Sequence, residues 1–99
     1  MGMHSKIPTE FAARAERRRW FNRADAERLL DWLEEDGHRF IGMDVAEKHG
    51  DENWTLLPDQ LDLSRQTDNF EAVRRGRDFL REYDGEGRMF EPVWQERAQ

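Results

Sequence analysis

Asn22-Arg23-Ala24-Asp25-Ala26-Glu27-Arg28-Leu29-Leu30-Asp31-Trp32-Leu33-Glu34-Glu35-Asp36-Gly37 is the stretch on which the fold turns. Its opening resembles a capping box. Ala26, Leu29, Leu30 and Leu33 then recur at the spacing that places them on one side of a helix. Glu27, Asp31, Glu34 and Glu35 occupy the other side, and Gly37 stands where a left-handed cap closes the last turn. The spacing predicts an amphipathic helix over residues 24–36 with an acidic outer face.

Downstream, Asp68-Asn69-Phe70-Glu71 is a second and cleaner capping box. It opens a helix to about Tyr83 whose apolar arc holds Ala72, Val73, Gly76, Phe79, Leu80 and Tyr83. A glycine inside a helix costs about 1 kcal/mol against alanine, so Gly76 on the buried arc implies that another backbone packs closely there. Between the two helices, Arg39-Phe40-Ile41-Gly42-Met43 reads as a strand with Ile41 and Met43 on one side and Phe40 on the other. Asp44-Val45-Ala46-Glu47 then suggests a helical turn to His49, the alternative being that the strand runs on through Val45. Trp54-Thr55-Leu56-Leu57 reads as a second strand halted by Pro58, followed by an irregular or edge connection to Gln66. Arg88 to Trp94 reads as a last strand that Pro92 confines to an edge.

These elements sum to an α+β domain, a small antiparallel three-stranded sheet packed on one face by the two amphipathic helices. An all-α domain, with the strands read as loops, is the alternative. Ahead of them, Thr9 is placed to cap a marginal basic helix through Arg14, Arg17, Arg18, Arg19, Trp20 and Arg23. That helix has a poor apolar face, because Phe11 and Ala15 lie together while Trp20 and Phe21 point elsewhere. Residues 1–8 are expected to be a flexible N-terminus, 9–94 the domain and 95–99 a frayed tail.

Charge is segregated along the chain. Residues 1–23 balance at +4 and residues 24–62 at −9, within a net charge of −6. Such a field acts on partners and association rates more than on fold. Apolar content is 36% and charged content 38%, and the 4 Trp, 6 Phe and 1 Tyr are too many aromatics for the usual disordered composition. With Cys at 0, disulfides, thiolate zinc sites and thiol nucleophiles are excluded. The opening residues lack the apolar run of a signal peptide and no apolar stretch is long enough to span a bilayer, which points to a cytoplasmic protein in a reducing compartment with no membrane association.

No constellation carries catalysis. His38, Asp44 and His49 are the nearest to a metal or acid–base set, but their spacing puts no two on one helical face, and they read as two surface histidines and a helix cap. Carboxylate pairs such as Glu34 with Asp36 and Asp51 with Glu52 lie in runs expected to be hydrated, whereas acid–base work needs one member of a pair desolvated. Ser5 and Ser64 have no nucleophile context, and Gly85 and Gly87 precede a strand, which is not the setting of a phosphate loop. The expectation is therefore a protein that is not an enzyme and takes no cofactor or metal.

What remains is interaction. Asp31, Glu34, Glu35, Asp51 and Glu52, with Trp32 or Trp54 as an aromatic anchor, suit docking to a basic partner such as a nuclease or another nucleic-acid enzyme, each carboxylate taking the place of a phosphate. Core packing is the plainer account of Trp32 and Trp54. Direct nucleic-acid binding through Arg14, Arg17, Arg18, Arg19, Trp20 and Arg23 is the alternative, opposed by the net negative charge. A third course is that these arginines pair with the acidic helix inside the domain, or across a homodimer formed by exchange of the basic helix. In size, acidity and lack of a catalytic set the chain is similar in general character to small immunity proteins, antitoxins and phage-encoded inhibitors, with no motif of a particular family matched.

Overall fold

The computed structural model describes residues 7–96. Its elements run α1 (Thr9–Arg14), α2 (Arg23–Asp36), β1 (Arg39–Lys48), β2 (Trp54–Asp62), α3 (Asn69–Glu82) and β3 (Arg88–Gln95). The strands form one antiparallel sheet in the order β2-β1-β3, and the helices pack on one face of it. The fold is thus the α+β arrangement expected.

Both main helices begin on a side-chain cap, and α2 also ends on a cap of the left-handed kind. The Asn22 side chain accepts a hydrogen bond from the Asp25 amide at 2.8 Å, and Gly37 closes α2 at φ 76°. In α3 the Asp68 carboxylate accepts from the amides of Phe70 and Glu71. The side chains of Ala26, Leu29, Leu30 and Leu33 meet Ala72, Val73, Phe79 and Leu80 over Phe40, Met43, Val45, Phe90 and Trp94 in one core. Asn69 ties α3 to the start of β1. Its side-chain oxygen accepts from the Phe40 amide and its Nδ2 donates to the His38 carbonyl, both at 2.9 Å.

Gly76 does admit a close neighbour, but the neighbour is a side chain. A Cβ built there meets Phe40 Cε2 at 2.6 Å and Leu30 Cδ1 at 3.1 Å, so the helix rests on the Phe40 ring and not on another backbone.

The strands depart from the sequence reading in three places, each for a non-local reason. A bulge between Phe40 and Gly42 interrupts the pairing with β3, so Phe40, Met43 and Val45 all reach the core while Ile41 is left half-buried. The helical turn expected after Asp44 does not form. Residues 44–47 pair with β3, and Val45 opposes Phe90 in the core, so two-sided sheet pairing overrides a local capping pattern. β2 also continues past Pro58 to Asp62. Its register jumps from Ala46↔Leu56 to Asp44↔Gln60, which lodges Pro58 in an outward loop of an edge strand where no ladder N–H is required. β3 is the other edge, with Pro92 opposite Met43.

At the ends, Ile7 packs against the core and Gln95 pairs with Arg39, so neither belongs to a free terminus. The remainder of the expected flexible N-terminus and frayed tail lies outside the described residues. No helix among the described residues is long and apolar enough to cross a membrane.

Candidate functional site on the outer face of the sheet

The N-terminal helix is present but shorter than expected, and its basic continuation through Arg17, Arg18 and Arg19 is not helical. α1 ends at Arg14, begins at Thr9 with Pro8 before it, and has no side-chain cap, so Thr9 is a helical residue and not the N-cap. Residues 16–20 instead form a tight hairpin in which Glu16 and Trp20 exchange backbone hydrogen bonds at 2.8 and 2.9 Å. Arg17 and Arg18 turn the chain at φ 48° and 75°. Phe21 then pairs with Phe90 through bonds of 2.8 and 2.7 Å, adding one residue pair beyond the edge of β3. The adjacent Trp20 and Phe21 explain why an extended chain wins. Phe21 enters the core and Trp20 meets Trp54, a two-sided division that a strand provides and a helix does not.

This arm carries its arginines to particular partners within the molecule. Arg14 lies 3.5 Å from Asp25, Arg19 lies 2.8 Å from Glu91 and Arg23 lies 2.9 Å from Asp84. The Arg17 guanidinium stacks 4.5 Å above the Trp54 ring and donates to the Asp51 carbonyl, and Trp20 meets the same ring edge-on at 5.8 Å. Glu16 accepts from Lys48 Nζ at 2.7 Å. Of the six nucleic-acid candidates, Arg18 alone is an arginine with neither an ion pair nor a ring contact among the described residues.

The arm lies across the sheet face that the helices leave uncovered. Strand alternation and register put Trp54, Leu56, Gln60 and Asp62 of β2 on this face, with Asp44, Ala46 and Lys48 of β1 and Met89, Glu91 and Val93 of β3. Asp44 is directly opposite Glu91, which places their Cβ atoms about 5 Å apart, and also opposite Gln60 on its other side. Arg19 compensates Glu91, which is only 8% exposed, whereas Asp44 makes no ion pair among the described residues. The arm covers the β3 side and the hairpin end. The β2 side stays open, and Leu56 there is 65% exposed. Leu56, Gln60 and Glu91 were not singled out in the sequence, and Asp44 was read only as a helix cap beside two histidines, although the alternation of residues 42 to 48 and 89 to 93 is the signal that would have placed Asp44 and Glu91 on one face.

The sequence-derived candidates fall into two groups. Asp31, Trp32, Glu34 and Glu35 are on α2, away from the outer sheet face. Asp51, Glu52 and Trp54 are at the β1–β2 turn. α2 leads through Gly37 into the start of β1, and that strand's ten residues carry the chain about 30 Å to the turn, so the two groups are not one patch. Arg77 of α3 holds Asp31 at 2.5 Å and Glu34 at 3.3 Å, and those carboxylates raise its pKa, Asp31 first. Glu35 and Glu52 are exposed, with no ion pair among the described residues, and Asp51 is exposed beside Lys48 at 4.0 Å. Trp32 is half-buried among Phe11, His38 and Trp94, which is core packing. His38 is not the surface histidine expected. It is buried at 7% exposure against Trp32, with Asp36 at 3.3 Å, because the bend after Gly37 turns it inward. His49 is at the surface, bonded to Thr55.

Among the described residues no three His, Asp or Glu side chains converge to hold a metal ion. One open depression of about 280 Å³ lies before α3, lined by Asp62, Leu63, Arg65, Gln66, Thr67 and Arg75. Comparison with models of protein families, with curated proteins and with solved structures finds no match.

Proposed function

We propose that this protein is a small non-catalytic binding module that docks a basic, nucleic-acid-handling protein through carboxylates, as an inhibitor or an immunity- or antitoxin-like protein does. The observation that carries the reading is where the arginines of the arm go. Arg14, Arg19 and Arg23 meet Asp25, Glu91 and Asp84, and Arg17 meets an aromatic ring, while Glu27, Glu35, Asp44, Glu52 and Asp62 make no ion pair among the described residues. Apart from Arg18, the arginines of the positive segment are spent internally and the acidic surplus is left toward solvent, where it speeds encounter with a cationic surface. The same fact weakens the nucleic-acid alternative, which needs those guanidinium groups for phosphates.

The test is affinity capture at low and high ionic strength with the wild-type chain and with a variant carrying Glu27→Lys, Glu35→Lys, Asp44→Lys and Glu52→Lys. A basic nucleic-acid-handling protein retained only at low salt, and lost by a variant with unchanged circular dichroism, supports the reading. Equal capture by both proteins removes the carboxylates from the account. A salt-sensitive mobility shift of single-stranded DNA or RNA that disappears in Arg17→Ala/Arg18→Ala/Arg19→Ala would favour the alternative.

A further inference from the structure

We propose that the uncovered β2 side of the outer sheet face is the docking surface, and that its occupant is an arginine-bearing segment of the basic partner. The inference rests on the functional reading above and names the surface within it. Three observations converge.

The face already receives arginines from its own chain, one by each of two mechanisms: Arg19 on the carboxylate of Glu91, and Arg17 on the ring of Trp54. Both modes suit the planar guanidinium better than an ammonium group. On the same face Asp44 has no ion-pair partner among the described residues. Asp44 and Glu91 stand opposite each other across β1 and β3 with Arg19 against Glu91, and like charges so placed repel. A second guanidinium beside Asp44, within reach of Gln60 and Asp62, relieves that repulsion. Finally, Leu56 is the neighbour of Gln60 on the same side of β2 across the register jump, and its 65% exposure offers an apolar contact to the stem of an arginine or to an aliphatic residue beside it. The acidic face of α2 has a weaker claim, because two of its carboxylates, Asp31 and Glu34, are already held by Arg77.

The experiment is a titration of the ¹⁵N-labelled full chain at low ionic strength with a short peptide alternating arginine and valine, and with its lysine counterpart. Amide shifts are expected at Asp44, Leu56, Gln60 and Asp62, with the arginine peptide binding more tightly than the lysine one. Gln60→Lys/Asp62→Lys, both at exposed edge-strand positions, is expected to weaken binding about tenfold, and Glu27→Lys/Glu35→Lys is expected to leave it unchanged. Shifts confined to α2, with the two pairs of variants reversed in effect, overturn this surface and leave the acidic reading standing. Absence of binding by either peptide overturns both.

Discussion

Replacing Gly76 by alanine sets helix propensity against packing, and the geometry decides which wins. In an exposed helix the change would stabilise by about 1 kcal/mol. Here the new methyl lies 2.6 Å from Phe40 Cε2, and ordinary contact begins near 3.4 Å, so the ring must retreat by about 0.8 Å. Phe40 is fully buried and has Leu30 beside the same methyl at 3.1 Å, so the retreat is not free. Overpacking of this kind costs about 1–3 kcal/mol, and the upper part of that range applies because the interior is close-packed. The expected net effect is a loss of about 1–2 kcal/mol, or a fall in melting midpoint of about 4–16 °C for a domain of this size. Urea unfolding followed by tryptophan fluorescence measures it. Phe40→Leu supplies the second edge of a double-mutant cycle, in which Gly76→Ala becomes neutral or favourable and the coupling is about 1 kcal/mol or more. A Gly76→Ala protein more stable than wild type would show that Phe40 does not fix the approach of α3.

Arg19→Ala takes a 2.8 Å partner from the buried Glu91, and a loss of about 1 kcal/mol is expected from chemical denaturation, discounted from the buried-pair range because Arg19 itself is exposed. Glu91→Gln in the same background should recover part of it, whereas Arg18→Ala should be neutral. Arg18→Gly removes a side chain from a residue at φ 75° and should stabilise by up to about 1 kcal/mol, read as a rise in denaturation midpoint. On acidification, Asp62 and Glu71 both titrate below their ordinary values of 3.8 and 4.5, Asp62 through the Ser64 backbone and Glu71 through Arg74. Their contribution is therefore complete above about pH 4.5 and is lost as the pH falls through their lowered values. Asp62→Asn and Glu71→Gln should each flatten the fall of the urea midpoint between pH 5 and 2, and an unchanged slope would contradict the sign.

What was legible in the sequence is what is determined locally. Asn22, Gly37 and Asp68 each act on backbone groups within a turn of themselves, so α2 and α3 were placed with their apolar faces correct. Residues 44–47, open between a helical turn and a continuing strand, and 16–20, read as helix, could not be placed from local pattern because partners distant in sequence decide them. The first has a helix-capping pattern overruled by pairing with β3, and the second a helix-forming composition overruled by the destinations of Trp20 and Phe21. The same holds for the charged groups. The acidic residues were visible, but Arg77 reaches Asp31 across 46 positions and Arg23 reaches Asp84 across 61. No local pattern tells a carboxylate that will be paired from one that will not.

Segregation of charge along the chain therefore does not survive as segregation in space. The basic segment, folded over the sheet as an arm, places its cations singly on carboxylates contributed by α2, β3 and the loop after α3, at Asp25, Glu91 and Asp84. What a partner meets from a distance is then the net charge of −6, falling off within about 10 Å at moderate salt, and not a positive pole facing a negative one. Such a field can hasten an encounter but cannot choose a partner, because exposed ion pairs contribute little each. Selection has to come from shape and from contacts that exclude water. On the proposed surface those are an exposed Leu56, the bulged edge of β2, and Asp44 held by the sheet opposite Glu91, which makes the partner's side-chain spacing, more than its charge, the determinant of fit.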